Sequence, residues 1–229
     1  MKIVVGSLYI VSTPIGNLED ISQRALKVIT DVSFLAVEDT RISGRLLKRY
    51  NIENKMIVYN NFNETKKHNN IIELIKEGND VALLSDAGTP CISDPGFRLV
   101  NSARKEKINI YSIPGPSAVI AALSTSGLPS DTFYFEGFLP KKKGRQTKFD
   151  FLINLDCTIV IYESPKRISK TISDIKEYFG EKRIVSIQRE ITKMYEEVFT
   201  GSVIDAYEKF YDKNNKGEFV IVIANKNFI

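Results

Sequence analysis

Short apolar runs alternate with amphipathic stretches of helical period along the first half of the chain. The stretches predict helices at 21–29 and 40–50, one that ends at Gly78, and one that begins at Pro95 with Asp94 as its N-cap. This β-α order indicates a mainly parallel sheet covered by helices. The apolar runs predict strands at 8–12, 34–37, 56–59, 81–84 and 108–113.

The first eleven residues, from Met1 to Val11, superficially resemble a secretion signal. Only one positive charge precedes the apolar run, and no small-residue cleavage site follows it, so we interpret the segment as a buried strand. No run approaches the roughly 18 apolar residues that a membrane span needs. The two cysteines, Cys91 and Cys157, lie far apart in sequence, for which a reducing, cytoplasmic setting is the simplest interpretation.

The pattern becomes less regular in the second half. Residues 114–117 interrupt the alternation with two prolines and a glycine, and we place a boundary there between a domain at 1–114 and another at 115–229. An apolar helix is predicted at 118–123, with Pro116 in its first turn. Segment 196–201 has the pattern of a hairpin arm, so we expect a mixed second sheet. Its predicted strands are 133–136, 158–162, 184–188, 197–200 and 219–224.

Composition excludes several classes of protein. The chain has 229 residues, of which 43% are hydrophobic, and this suffices for one large or two small globular domains. A single histidine, His68, and two separated cysteines disfavour a zinc or haem site and a hydrolase with a histidine base. The motifs G-x-G-x-x-G and G-x-x-x-x-G-K-[ST] are also missing, which disfavours a nicotinamide or nucleoside triphosphate site.

Segment 85–96 is the strongest candidate for a ligand-binding loop. It follows the apolar run 81–84, and its residues 86–89 have little side-chain bulk, so a ligand could approach the backbone closely. A tight strand-to-helix connection without a ligand would have the same sequence. Three more loops are expected just beyond strand ends, where open α/β sheets bind ligands: 13–17, 38–41 and 162–167.

Two basic segments favour an anionic partner, since the net charge is +4. Each also has a simpler interpretation, as a solvated helix face or helix start. The first segment repeats at helical spacing opposite the apolar residues Ile42, Leu46, Leu47 and Tyr50, and consists of Arg41, Arg45, Lys48 and Arg49. The second has five positive and no negative charges in eight residues, and consists of Lys141, Lys142, Lys143, Arg145 and Lys148.

The motifs that carry a family resemblance span nearly the whole chain, at 8–21, 36–41, 84–90, 113–117, 135–140, 162–165 and 216–219. Together they resemble the tetrapyrrole methylase superfamily of S-adenosylmethionine enzymes, and more closely its small-subunit ribosomal RNA cytidine 2′-O-methyltransferases. The resemblance implies a two-domain α/β class III methyltransferase, with a parallel-rich N-terminal sheet, a mixed C-terminal sheet and the cofactor in the cleft between the domains. It also implies a homodimer.

The resemblance further implies the reaction and its site. The substrate would be the small ribosomal subunit, with methyl transfer to a cytidine 2′-hydroxyl in the decoding centre of 16S rRNA, without a metal. The S-adenosylmethionine contacts would be Pro14, Gly16, Asp86, Gly88, Thr89, Ile92, Ser117, Ala118 and Tyr162. Asp86 has a second interpretation, in which it only fixes the turn.

Transfer to a ribose hydroxyl needs a group that accepts or orients its proton. We expect Asp39 or Glu163 in this role, although Asp39 is also a candidate N-cap. Lys166, with Arg41 and Arg167, would hold phosphates or steady the developing alkoxide. Relatives often carry a histidine at the position of Lys166 and in the loop that corresponds to 59–64, so this chain is not expected to use a histidine base.

Two other functions stay open at this level. A small-molecule methylase of the tetrapyrrole or diphthamide type would share the fold and cofactor, but residues 86–90 and the basic segment at 141–148 disfavour it. A non-enzymatic RNA-binding assembly factor on the same scaffold would have lost cofactor binding.

Overall fold

The computed structural model describes residues 5–211 and 213–228. They form two compact units, of which the first ends at Ser117 and the second begins at Ala118. Residues 1–4 of the predicted N-terminal strand lie outside the described residues. Within the described ranges, no helix is long and apolar enough to cross a membrane.

The first unit contains a five-stranded sheet in which all neighbouring strands are parallel. Its strand order is β3-β2-β4-β1-β5. The strands are β1 (Ser7–Val11), β2 (Phe34–Val37), β3 (Met56–Val58), β4 (Val81–Leu84) and β5 (Asn109–Ile113). Each coincides with a predicted strand to within one residue at either end, so the predicted β-α alternation and parallel sheet are confirmed.

Helices cover both faces of this sheet. They are α1 (Gln23–Asp31), α2 (Thr40–Arg49), α3 (Glu64–Lys76) and α4 (Phe97–Lys105), and a short 3-10 helix, Leu18–Asp20, precedes α1. Val37 and Leu84 pack in a cluster with residues of α1 and α2, whereas their neighbours Ala36 and Leu83 pack in a cluster with residues of α3 and α4. Adjacent strand residues thus face opposite layers, as the period of two in a strand requires.

The start of α4 differs from the prediction. The helix begins at Phe97 with Gly96 as N-cap, and Gly96 has a φ of 141° and no side-chain cap. A Cβ at Gly96 would lie 2.6 Å from Cys91 Sγ and 2.8 Å from Leu83 Cδ2. Because the loop turns back against β4 there, the helix starts late, and the prediction of Asp94 as N-cap and Pro95 as first helical residue is wrong.

The second unit contains a mixed five-stranded sheet, as predicted. Its order is β6-β7-β10-β8-β9, with β6 and β7 parallel and the other pairs antiparallel. The pairing of β8 with β9 confirms the predicted hairpin arm. The strands are β6 (Phe133–Phe138), β7 (Thr158–Glu163), β8 (Ile184–Arg189), β9 (Glu197–Ser202) and β10 (Phe219–Ile223).

Two apolar clusters flank this second sheet. Its helices are α5 (Ala118–Ser126), α6 (Arg145–Leu152), α7 (Ile168–Phe179) and α8 (Val203–Phe210). Residues of α6, α7 and α8 share a cluster with Ile221, and residues of α5 share the other with Val222. Helix α5 begins at Ala118, as predicted, and Pro116 precedes it instead of lying in its first turn.

Candidate functional site

Five loops of the first unit lie at one edge of its sheet, because parallel strands all end on the same side. The loops after β1 and β4 are joined directly. Thr13 and Gly88 exchange two backbone hydrogen bonds, of 2.9 and 3.0 Å. The hydroxyl of Thr13 also donates to the carbonyl oxygen of Ser85 at 3.0 Å. These bonds hold the small-residue loop against the end of β1.

Hydroxyl groups extend this connection to the loop after β5. Thr89 Oγ1 donates to the carbonyl oxygen of Pro116 at 3.2 Å, and Ser12 Oγ lies 3.0 Å from Thr89 Oγ1. Since the Thr89 proton is used on Pro116, the Ser12 hydroxyl donates to Thr89. Three of the loops in which cofactor contacts were expected are therefore held in one fixed arrangement.

Gly88 keeps the space between these loops open. Its φ is 85°, a region that favours glycine. A Cβ there would lie 3.4 Å from Ile15 Cγ2 and 3.8 Å from the carbonyl oxygen of Pro116. Ala87 beside it is exposed. Bare backbone next to an exposed small residue permits the close approach of a ligand.

The nine expected cofactor positions divide between the two units. Pro14, Gly16, Asp86, Gly88, Thr89, Ile92 and Ser117 belong to the first unit, and Ala118 and Tyr162 to the second. Gly16 and Ile92 are exposed, whereas Pro14 and Gly88 are buried. Within the second unit, the Tyr162 ring lies 4.9 Å from the Phe135 ring, centroid to centroid.

Asp86 has a defined structural role. Its Oδ1 accepts a hydrogen bond from the backbone N–H of Asp39 at 3.1 Å, which joins the loop after β4 to the end of β2. Burial raises the pKa of Asp86, and the nearby Asp39 carboxylate raises it further. The interpretation of Asp86 as a residue that fixes the turn thus has direct support.

The sequence did not assign a chemical role to two carboxylates at this edge: Glu38 was only part of the candidate loop 38–41, and Asp94 was expected only as an N-cap. The pairing of Val37 with Leu84 brings the residues that follow them, Glu38 and Ser85, side by side. Burial and the charge of Asp86 raise the pKa of Glu38. Burial and the charge of Glu38 raise the pKa of Asp94 to about 7. The sequence shows that both residues follow the ends of neighbouring strands, but it does not show that their carboxylates are partly buried.

Asp39 is the N-cap of α2, as one interpretation predicted. Its Oδ1 accepts from the backbone N–H of Arg41 at 2.8 Å, and its carboxylate also accepts from the Arg41 guanidinium, with Nε 3.0 Å from Oδ1. These hydrogen bonds lower the pKa of Asp39 to about 2. A carboxylate with so low a pKa is a weak proton acceptor near neutral pH, which argues against the catalytic role expected for it.

The surroundings of Glu163 argue against its expected role as proton acceptor. Its side chain is 0% exposed and pairs with Arg167 Nη2 at 2.8 Å. The hydroxyl of Thr171 and the backbone N–H of Ser164 each donate to it at 2.7 Å. A carboxylate enclosed by these three donors braces the junction of β7 and α7.

Arg145 is likewise unavailable for the RNA contact expected of it. Its guanidinium donates to Asp174 and Thr171 at 2.7 Å each, and to the carbonyl oxygen of Pro140 at 3.1 Å. Only 8% of its side chain is exposed. These contacts argue against the RNA contact predicted at Arg145, because they use its charge to join α6 to α7.

The other cations predicted to contact RNA differ in whether they form ion pairs within the protein. Arg41 is exposed but paired with Asp39, Lys148 pairs with Glu136 at 3.1 Å, and Arg167 is committed to Glu163. Lys166 is exposed. The remaining exposed members of the two basic segments are Arg45, Lys48, Arg49, Lys141, Lys142 and Lys143.

The apolar side of α2 is narrower than predicted. Leu46 and Leu47 are buried, but Ile42 is 41% exposed. The basic side nevertheless faces solvent at Arg45, Lys48 and Arg49, so this helix presents positive charge as the sequence indicated.

A protein with two α/β units, a parallel sheet in one and a mixed sheet in the other, has the architecture of a tetrapyrrole methylase. Residues 7–206 match the family described as tetrapyrrole (corrin/porphyrin) methylases. The chain belongs to this family. The fold class and the family resemblance inferred from the motifs are confirmed, and so is S-adenosylmethionine as the methyl donor that this family of methyltransferases uses.

Curated relatives define the particular branch. The chain is 43% identical to "Ribosomal RNA small subunit methyltransferase I" of Haemophilus influenzae, over 99% of this chain and 81% of the relative. It is also 43% identical to the protein of the same name from Thermotoga maritima, over 97% of this chain and 100% of the relative. A crystal structure of diphthine synthase superposes with a TM-score of 0.73 at 14% identity, over 96% of this chain and 90% of that one, which shows the common fold.

The residues of the first unit fit the methyl donor. The side-chain-free backbone at Gly88 and the hydrogen-bonded hydroxyls of Ser12 and Thr89 form a rigid edge with little side-chain bulk, on which backbone groups can hold an amino acid and a nucleoside. Such a site needs no metal. In the part of the chain that the structure describes, no group of three or more His, Cys, Asp and Glu side chains is placed to hold one.

Proposed function

We propose that this protein transfers a methyl group from S-adenosylmethionine to small-subunit ribosomal RNA, at the 2′-hydroxyl of a cytidine in the decoding centre. The main support is 43% identity over 99% of the chain to a relative named for small-subunit ribosomal RNA methylation. The same support favours this substrate over the small-molecule methylase considered above. The fixed loops at the edge of the first sheet supply a site of the kind the cofactor needs.

Positioning carries much of the proposed catalysis. When bound, S-adenosylmethionine would supply a sulfonium methyl group, whose carbon would form a bond to the ribose oxygen as its bond to sulfur breaks and S-adenosylhomocysteine leaves as a thioether. The bonds between Thr13 and Gly88, and between Thr89 and Pro116, hold the loops still, so less entropy is lost as the reacting groups align. The backbone at Gly88 would orient the cofactor.

The proton of the ribose hydroxyl requires an acceptor whose pKa lies near the working pH. Asp39 has a pKa of about 2, and Glu163 is enclosed. Asp94 lies at the proposed cofactor edge, beside the Ser85 hydroxyl and the Glu38 carboxylate, and burial raises its pKa to about 7, so it meets the requirement better. We therefore assign the acceptor role to Asp94 in place of the two residues expected from the sequence.

Substrate binding in this proposal rests on exposed positive charge. Arg45, Lys48 and Arg49 on α2 supply one patch, and the lysines at 141–143 before α6 supply another. Contacts with phosphates weaken as salt rises, because bound counterions are released on association. Lys166 is exposed and would hold a phosphate of the RNA. A homodimer and a cytoplasmic location stay predictions.

Labelled methyl transfer to purified small ribosomal subunits, followed by nucleoside mass spectrometry, tests the proposal. We expect label in one 2′-O-methylated cytidine. Calorimetric titration with S-adenosylmethionine is run in parallel. Cofactor binding without label in ribosomal RNA would refute the RNA substrate, and no cofactor binding at all would favour the assembly factor.

A further inference from the structure

The second unit contains a cavity of about 340 Å³ whose concave space is not used by the proposed methyl transfer, although two of its lysines belong to the basic segment at 141–148. It lies between α7 and the segment that leads into α6. Its lining includes four basic side chains, Lys141, Lys142, Arg145 and Lys170, against two acidic ones, Asp174 and Glu177. Its volume is within the range of small-ligand sites, about 300–1,000 Å³.

The acidic residue nearest the floor of the cavity is already neutralised. Asp174 accepts from Arg145 Nε at 2.7 Å, and Lys170 Nζ lies 3.4 Å from its other oxygen. Only 15% of the Asp174 side chain is exposed. Asp174 is thus paired internally, and although Glu177 adds a second, exposed carboxylate, four basic side chains against two acidic ones leave the lining positively charged.

Two cations at the rim are free. Lys141 and Lys142 are exposed, and among the described residues neither takes part in an ion pair. Both lie in the segment before α6, in which Gly144, with a φ of 80°, forms the turn into the helix. Lysine ammonium groups are good phosphate donors, and two adjacent free lysines above a positive floor attract an anion.

The wall of the cavity provides an uncharged surface. Tyr178 stacks on Phe149, with ring centroids 4.9 Å apart and planes 17° apart. Burial, followed by the charges of Asp150, Glu177 and Asp174, raises the pKa of Tyr178, so its hydroxyl stays a neutral donor. Gln146 adds an amide from the first turn of α6. A flat apolar ring, a hydroxyl and an amide suit a ribose beside the anion.

We propose that this cavity binds a phosphate and its ribose in the backbone of the RNA substrate, as an anchoring site separate from methyl transfer. The inference rests on the proposed function, which supplies RNA as the ligand. This anchoring site differs from a general attraction of RNA to the basic segment at 141–148, because it requires the shape of the cavity as well as its charge. Lys141 and Lys142 hold the phosphate, and Tyr178 and Gln146 contact the sugar.

Filling the space without changing the charge gives the sharpest test. Gln146 is exposed at the start of α6, so Gln146→Trp can place an indole in the cavity without disturbing the core. We expect fluorescence anisotropy with a small-subunit rRNA fragment to show affinity at least about fivefold weaker, with a salt slope shallower by about 0.7 to 0.9, because the phosphate no longer enters the cavity. Gln146→Ala is the control for loss of the amide. Normal RNA affinity in Gln146→Trp would overturn the proposal.

Removing charge gives a second, independent measurement. In Lys141→Ala/Lys142→Ala, the slope of log affinity against log salt should become shallower by about 0.7 to 0.9, because the contact with one phosphate is lost. The matched control is Lys105→Ala/Lys182→Ala, which removes two exposed lysines outside the cavity. Equal slopes in both double variants would mean that the charge acts without a site.

These binding experiments are separable from the proposed reaction. If the wild-type protein fails to methylate ribosomal RNA but Gln146→Trp still weakens RNA binding, the proposed function fails and the cavity proposal stands. If methylation proceeds and Gln146→Trp leaves KM for the subunit unchanged, the cavity proposal fails alone. Inorganic phosphate that binds the protein without competing against RNA would also overturn it.

Discussion

The Asp86 carboxylate accepts a hydrogen bond from the backbone N–H of Asp39, 3.1 Å away. The two residues follow neighbouring parallel strands, β4 and β2, so this bond fixes the relative position of two loops at the proposed cofactor edge. An acceptor at this position shapes the site without needing to touch the cofactor.

This relationship predicts different effects for two substitutions at Asp86. Asp86→Asn retains an oxygen acceptor, and we expect S-adenosylmethionine affinity within about twofold of normal. Asp86→Ala leaves the Asp39 N–H unpaired, and we expect affinity weaker by about 5-fold to 10-fold, since one hydrogen bond contributes about 1 kcal/mol. Calorimetric titration checks both. Equal losses in the two variants would indicate that the charge of Asp86 contacts the ligand.

Gly88 offers a prediction with a closely matched control. Gly88→Ala places a methyl group 3.4 Å from Ile15 in a backbone conformation with φ of 85°. Gly127→Ala imposes similar strain at φ 71°, but nothing lies within 4 Å of its Cβ. Both should lose about 1 kcal/mol of unfolding free energy in urea titration.

Only Gly88→Ala should also weaken S-adenosylmethionine binding, because only there does the methyl group enter the space between the loops. If both variants lost cofactor affinity to the same extent, general destabilisation would explain the effect. If neither did, the cofactor would not approach the backbone at Gly88.

The raised pKa of Asp94 predicts a pH dependence of activity. Its carboxyl titrates at about 7 in the folded protein, so the fraction able to accept a proton grows as pH rises through that value. We expect methyl transfer under saturating substrate to rise about tenfold between pH 6 and pH 8. Asp94→Asn should lower kcat strongly and remove this rise.

The free energy of unfolding should fall as pH rises, whereas the activity rises. A folded-state pKa above the unfolded value of about 3.9 means that the folded protein binds the proton more tightly. The wild type therefore loses stability as pH rises from about 4 through 7, and Asp94→Asn should not. A difference on the order of 1 kcal/mol is expected at pH 8, because partial exposure screens the charge. If kcat of Asp94→Asn still rose about tenfold between pH 6 and pH 8, Asp94 would be eliminated as the proton acceptor.

Replacement of Arg145 should lower the free energy of unfolding, because its guanidinium is paired inside the second unit. Arg145→Ala leaves Asp174 and Thr171 without their donor in a nearly buried position, and removal of one partner of such a pair costs about 3 kcal/mol. Lys142→Ala is the control: it removes an exposed charge three residues before Arg145, and its unfolding free energy should equal that of the wild type. Chemical denaturation followed by circular dichroism distinguishes them. Equal stability of the two variants would show that the buried pair contributes little.

Most of the fold could be predicted from local patterns. The run 81–84 is fully buried as β4, and the strand and helix around Asp39 lie where the sequence placed them. The start of α4 could not be predicted, because Gly96 packs against Leu83 of β4 and Cys91, and this contact delays the helix beyond Pro95. Local capping preferences do not report such a contact.

The candidate site was predictable in its location but not in the state of its charged groups. The loops around Thr13 and Gly88 were identified from strand ends and small residues, and the structure joins them. The charges of Glu163 and Arg145 were assigned to substrate, whereas Arg167 and Asp174 use them internally. Glu38 and Asp94 were given no chemical role because their burial depends on packing between segments distant in sequence.

The sequence by itself determined the order of strands and helices, the parallel and mixed sheets and the family, because side-chain periodicity and motif residues are local properties of the chain. Only the tertiary structure decided which charged residues are free for a ligand. An ion pair or a raised pKa depends on distances and solvent exposure, and both are set when remote segments such as α6 and α7 pack together.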